Sequence, residues 1–155
     1  MLKRLLPLAG AALALALHSL PAQATEEVPF ITTPDNVTLE MLRAAQVGPR
    51  DHVIDLGSGD GRIVITAARR FGATGLGVEI APDLVRQSIR NAQDAGVADK
   101  VKFLEQDLFK TDISGATVIT MYLLPEVNLQ LRPSVLALKP GTRIVSHDWD
   151  MGDWK

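Results

Sequence analysis

The chain has 155 residues, of which 46% are hydrophobic, and a formal charge of −2, so it holds apolar material for one ordinary core and one domain. With 16 basic against 18 acidic residues and no cationic block, a nucleic-acid partner held through phosphate contacts is not expected. The absence of cysteine excludes a disulfide framework, a thiolate nucleophile and a Cys-based zinc site, and His18, His52 and His147 form no close ligand pair, so no metal is expected either.

The first two dozen residues differ from the rest. Lys3 and Arg4 precede an apolar run interrupted by Pro7 and His18, and "AQA" at 22–24 places small residues where a signal peptidase cuts. The run falls short of the roughly 20 residues of a spanning helix. Residues 1–24 are therefore expected to be a cleaved signal peptide and 25–155 the working domain, exported or periplasmic, with membrane tethering as the alternative and no spanning segment in the mature chain.

Beyond the leader, Thr33 is placed to cap a helix with Pro34 at its first position, ending at "VGPRD". "HVIDL" reads as a strand, "GRIVITAARRFG" as a helix closed by Gly72, "TGLGVEI" as a strand and "PDLVRQSIRNAQDAG" as a helix opening on Pro82. "VKFLEQD" and "TVITMYLL" follow as strands, "PEVNLQLRPSVLAL" as a helix that restarts at Pro133, and "TRIVSHD" as a last strand after the "KPG" turn. Strands alternating with helices of this length predict βαβ crossovers, hence an α/β fold with a doubly wound, mostly parallel sheet.

Ligands of such sheets bind beyond the carboxyl ends of the strands. The first strand runs into Asp55, Gly57, Ser58, Gly59, Asp60 and Gly61; the second ends at Glu79, the third at Asp107, the fourth at "MYLLP". A dinucleotide fingerprint has the form G-x-G-x-x-G/A. Here Arg62 occupies the third small position and Gly61 comes one place early, while no Gly-Lys-Ser/Thr completes a P-loop. Asp55 would repel a pyrophosphate and suits a cation, which favours S-adenosylmethionine with its sulfonium and ammonium groups. Glu79, twenty residues beyond Gly59, suits two ribose hydroxyls; Asp107 suits an adenine amino group, with the Leu108 amide beside it for a ring nitrogen. Taken singly, each acid is as well read as a cap or a solvated loop residue.

In order and spacing, "VIDLGSGDGR", "GVEI" and "EQDLF" resemble the cofactor motifs of class I S-adenosylmethionine-dependent methyltransferases. "TPDNVTLEML", "YLLPEVN", "LRP" and "LKPGTRIVSHDWDMGDW" resemble a narrower group, which includes small archaeal protein-lysine methyltransferases and the mitochondrial lysine methyltransferase of the ATP synthase c-subunit. The resemblance covers roughly residues 29–149. It implies a Rossmann-like methyltransferase fold, a seven-stranded sheet with a C-terminal antiparallel hairpin, and methyl transfer to an amine. It also implies that Asp55, Gly57, Gly59 and Gly61 face the methionine part of the cofactor, Glu79 the ribose and Asp107 the adenine, while Thr33 and Pro34 belong to a segment that closes over the cofactor. Two departures stand out: Phe30 where relatives often carry tyrosine, and a chain expected to lack the last strands.

The acceptor side is less defined. Tyr122, after the fourth strand, is the candidate for the acceptor mouth, where its ring can stack on a target side chain and its hydroxyl orient an amine; half-buried packing is the plain alternative. His147 and Asp148 can line the same cleft or simply form a strand-end turn. His52 reads as structural, and Arg69 and Arg70 as helix-dipole partners. The expected activity is methylation of protein lysine. The alternatives are methylation of a small amine, or a non-catalytic exported binding module in a compartment that does not supply the cofactor.

Overall fold

The computed structural model describes residues 31–154, so the expected leader at 1–24 and Phe30 lie outside the described residues. The apolar runs become five strands, β1 (His52–Leu56), β2 (Thr74–Glu79), β3 (Val101–Glu105), β4 (Val118–Met121) and β5 (Arg143–Ser146). They pair in parallel in the order β3-β2-β1-β4-β5. Four helices connect or flank them, α1 (Asp35–Ala44), α2 (Arg62–Phe71), α3 (Pro82–Asp94) and α4 (Pro125–Leu136), with a 3₁₀ turn at Leu108–Lys110. This is the expected doubly wound α/β fold. The chain builds outward from β1 through β2 to β3, then returns to the other side of β1 for β4 and β5, so strand order reverses between β1 and β4. That crevice is where a ligand is expected.

Alternation along β1 divides the core. Val53 packs with Met41 and Leu42 of α1 and with Ile63, Val64, Ala67 and Ala68 of α2. Ile54 and Leu56 point the other way, to Leu131 and Val135 of α4. Burying a side chain such as Leu42 or Val64 stabilises by about 1.5–3 kcal/mol, so these two layers hold the helices on the sheet. Gly75 sets how closely α2 approaches, because a Cβ there would lie 2.8 Å from Val64 Cβ.

Helix α1 runs antiparallel to β5 and is pinned at both ends. Near its C-terminus, Arg143 donates to the carbonyls of Ala45 at 2.8 Å and Gln46 at 3.1 Å and pairs with Asp51. Near its N-terminus, the Thr33 hydroxyl and His147 Nδ1 share a hydrogen bond of 3.2 Å. Thr33 therefore does not cap α1; Pro34 takes the cap position without a side-chain bond, because the Thr33 side chain is engaged across the domain.

Two further expectations need correction. Helix α4 passes through Pro133 without restarting. Pro133 and Leu129 are exposed, so the Leu129 carbonyl that loses its partner can be met by water. The fourth strand also stops at Met121, leaving Tyr122 and Leu123 free of the ladder. Among the described residues the sheet has five strands, and the only antiparallel pairing is an isolated Met151–Trp154 bridge.

Candidate active site

The turn after β1 requires its glycines. Gly57, Gly59 and Gly61 all adopt positive φ, of 75°, 54° and 82°, where a Cβ is penalised. Space restricts two of them as well: a Cβ on Gly57 would lie 2.8 Å from Leu123 Cδ2, and one on Gly61 2.7 Å from the Phe103 ring. The first contact shows that the segment after β4 closes over the glycine turn.

The amides of this turn point into the protein. Gly57 and Ser58 both donate to the Val78 carbonyl at 2.9 Å, Gly59 donates to Glu79 Oε2 at 2.9 Å, and Gly61 donates to the Ser58 carbonyl at 2.9 Å. The Arg62 amide faces Asp60 Oδ1 at 3.3 Å. A phosphate cradle needs such groups free and converging on the anion. Here the amides of Gly57, Ser58, Gly59, Gly61 and Arg62 are engaged, and the acids Asp55, Asp60 and Glu79 surround the turn instead. From α3, the Ser88 hydroxyl donates to the Gly59 carbonyl and Asn91 to the Asp60 carbonyl, each at 2.9 Å, so the turn is braced on both its donor and its acceptor side.

Asp55 lies beneath the turn, 2% exposed, and accepts a 2.7 Å hydrogen bond from the Thr120 hydroxyl of β4. Burial pushes its carboxyl up to about 7; the Thr120 bond opposes this and the charges of Glu79 and Asp60 add to it. A buried group poised between protonation states beside two other carboxylates is an environment that a cation would stabilise. The donor set thus fits a sulfonium and ammonium ligand and does not fit a pyrophosphate.

Glu79 is the hub of the next strand end. Besides Gly59, it accepts from the amides of Ile80 at 2.9 Å and Ala81 at 3.0 Å. Beside it, the Ile80 side chain is 67% exposed, an apolar platform that residue type and spacing did not single out. The Gln106 amide donates to the Glu79 carbonyl at 2.9 Å and brings the end of β3 alongside. Asp107 there caps the 3₁₀ turn by accepting from the Phe109 amide at 2.9 Å, and the half-buried Leu108 packs toward the α4-side core. The Ser58 hydroxyl turns inward, where a Cβ on Gly77 would lie 2.6 Å from it, so its side chain shapes the turn.

A second cluster forms at the ends of β4 and β5. The ring of Tyr122 lies against that of His147, with centroids 4.1 Å apart and planes tilted by 41°. His147 continues the ladder by donating its amide to the Met121 carbonyl at 2.9 Å, which fixes the two rings in register. Arg62 grips Asp60 through two bonds, Nε to Oδ1 at 3.0 Å and Nη2 to Oδ2 at 2.6 Å, and donates Nη1 to the Thr33 carbonyl at 3.0 Å. Thr33, Asp55, Gly57, Ser58, Gly59, Gly61, Glu79 and Tyr122 thus converge on one edge of the sheet, with Asp107 and Leu108 at its β3 end. Arg62 and Ile80 are additions, and Asp60, already named among the residues after the first strand, gains a role as the partner of Arg62. The Asp-Gly-Arg spacing was the available signal for that pair, although in the sequence Arg62 serves only to set aside a dinucleotide. A groove of about 390 Å³ between Ile144, Ser146 and the 148–154 turn flanks His147 and shares no residue with the glycine turn.

Comparison with known proteins accords with this chemistry. The family profile of the ANTKMT methyltransferase domain matches residues 55–155. A protein-lysine N-methyltransferase of Saccharolobus islandicus (strain REY15A) is 44% identical over 129 residues, which are 82% of this chain and 80% of the relative. The human lysine N-methyltransferase of the ATP synthase c-subunit is 34% identical over 128 residues, again 82% of this chain, and the chain spans about half, 53%, of that protein's length. A solved structure of an RNA methyltransferase from Salinibacter ruber, in complex with S-adenosyl-L-homocysteine, superposes with a TM-score of 0.79 at 57% identity, covering 81% of this chain and 82% of that one. An acid-lined cleft without a phosphate cradle therefore has its place among known proteins: the chain belongs to the ANTKMT methyltransferase domain family and is an S-adenosylmethionine-dependent methyltransferase.

Proposed function

We propose that this methyltransferase N-methylates lysine side chains of a protein acceptor, with Tyr122 at the acceptor mouth. The observation that carries this reading is the Tyr122–His147 ring pair at the ends of β4 and β5, beside the glycine turn that Leu123 overlies. When bound, S-adenosylmethionine supplies a methyl group already activated on a sulfonium. The protein's task is then alignment and exclusion of water. A lysine must also arrive as the free amine, which desolvation in a dry, polar-lined channel favours. The names of the archaeal and human relatives support the choice of acceptor.

In this reading Glu79 would accept from the ribose hydroxyls, Asp107 from the adenine amino group, with the Leu108 amide facing a ring nitrogen. Gly57, Ser58, Gly59 and Gly61 would form the floor under the methionine part, Asp55 would stabilise its cationic end from beneath, and Thr33 would cover it. Methyl-labelled cofactor incubated with protein extract, a small-amine pool and total RNA tests the acceptor. Label on protein lysine is the expected result. Label confined to small amines, or to RNA as the name of the Salinibacter relative suggests, overturns it; the lack of a cationic block in this chain speaks against RNA.

We read residues 1–24 as an export leader, supported by Lys3, Arg4, the apolar run and "AQA". N-terminal sequencing of the natural protein, with cell fractionation, tests this. A mature start at Thr25 is expected; an uncut N-terminus with the domain facing the cytoplasm replaces export by tethering, and would place the enzyme where its cofactor is made.

A further inference from the structure

We infer that Arg62 and His147 are positioning residues that hold Thr33 from two sides across the acceptor mouth. Thr33 is 4% exposed although it belongs to no helix or strand. Its carbonyl accepts from Arg62, at the start of α2, and its hydroxyl bonds His147, just after β5. Arg62 opens the helix that follows β1, His147 follows β5, and β4 lies between those two strands, so Thr33 bridges the two sides of the β4 end, whose Tyr122 ring packs on that of His147.

Each holder is itself held. Arg62 is locked in a fork with Asp60 of the glycine turn, so any shift of that turn moves the Thr33 carbonyl's partner. His147 is fixed by its ladder bond and by the Tyr122 ring, with its Nε2 3.5 Å from Asp148 Oδ1. Asp148 adopts a φ of 62°, a conformation that costs a non-glycine residue free energy and that surrounding structure must impose. Thr33 thereby couples the cofactor turn to the acceptor mouth. The inference rests on reading Thr33 as a residue that covers the cofactor.

The probe is S-adenosyl-L-homocysteine, measured by calorimetry and by its dissociation rate on the full chain. Thr33→Val and His147→Phe each remove the same hydrogen bond, the latter keeping an aromatic ring against Tyr122. Each should weaken binding about three- to tenfold, and the double variant should be no weaker than the worse single one. His147→Asn, whose amide can reach the Thr33 hydroxyl, should bind closer to wild type than His147→Phe does. Arg62→Gln should lose about tenfold, and Arg62→Lys should not restore it, since lysine lacks the fork. If Thr33→Val binds as wild type does, the reading of Thr33 as a cover fails. If Thr33→Val is weak while His147→Phe and Arg62→Gln are not, or if the Thr33 and His147 effects add, the two-sided hold is wrong. Melting temperatures within a few degrees of wild type separate positioning from folding defects, and His147→Asn carries the test should His147→Phe fail to fold.

Discussion

Asp55 and Thr120 face each other across the central strands, the Thr120 hydroxyl donating to Asp55 Oδ1 at 2.7 Å in a fully buried pair. One neutral donor does not offset the burial of the carboxylate, and Asp55 is pushed from 3.8 up to about 7. The native state therefore holds a proton between about pH 4 and 7 that the unfolded chain has released. The associated stability is present below the unfolded value and is lost as pH rises through about 7. Asp55→Asn keeps the shape and removes the charge. The apo domain of this variant should melt several degrees above wild type at pH 8, with the gap narrowing toward pH 5; melting curves over that range check it.

The same group should make cofactor binding depend on pH. A cation above Asp55 favours its ionised form, so the affinity for S-adenosylmethionine should rise between pH 6 and 8. S-adenosyl-L-homocysteine, without the sulfonium, should respond less. Calorimetry of both ligands across this range would show two parallel profiles if Asp55 does not sense the sulfonium. In Asp55→Asn both profiles should flatten, with weaker binding throughout.

Glu79→Ala should weaken binding of S-adenosyl-L-homocysteine by roughly ten- to a hundredfold. The loss of a charge-assisted acceptor costs about 1.5–3 kcal/mol, and here the amides of Gly59, Ile80 and Ala81 lose their partner as well. Glu79→Gln, which retains one acceptor oxygen, should fall between. Titration calorimetry with circular dichroism on the same samples separates a lost site from a lost fold.

Gly61→Ala should be among the most destabilising single changes in the turn. Its φ of 82° costs a side chain about 1–2 kcal/mol, and the new Cβ would lie 2.7 Å from the Phe103 ring. Overpacking adds about 1–3 kcal/mol. Gly96→Ala, also at positive φ but with nothing within 4 Å of its Cβ, should carry only the backbone cost. Urea midpoints of the two variants would expose the difference; equal losses would show that the Phe103 contact relaxes freely.

Tyr122→Phe should lower kcat for methyl transfer by about tenfold while cofactor affinity stays within twofold, since the ring remains against His147 and only the hydroxyl is lost. A kcat equal to wild type would reduce Tyr122 to a packing residue.

Much of the site was legible from spacing because its parts are local. The glycine turn, Asp55 and Glu79 lie within one βαβ unit, where strand ends are set by apolar periodicity and the carboxyl edge by connectivity. The division of labour among them was less legible. Asp107 serves as the cap that its plain reading allowed, Ser58 turns its hydroxyl into the sheet, and Asp60 and Arg62, adjacent in sequence to the turn glycines, carry no legible role because their use depends on Thr33.

Residue order alone specifies the alternation of strands and helices, the conformation that the turn glycines allow, and a set of acids suited to a cation. Those features are encoded over a few residues, by side-chain period, Cβ sterics and charge. Folding in three dimensions brings Thr33 to His147, 114 residues away, instead of leaving it to cap α1, lets Arg62 tie the glycine turn to the entry segment, and buries Asp55 deeply enough to titrate near neutrality. Each of these depends on which strands become neighbours and how closely helices cover them, and no local pattern in the chain specifies the energy of a contact between segments so far apart.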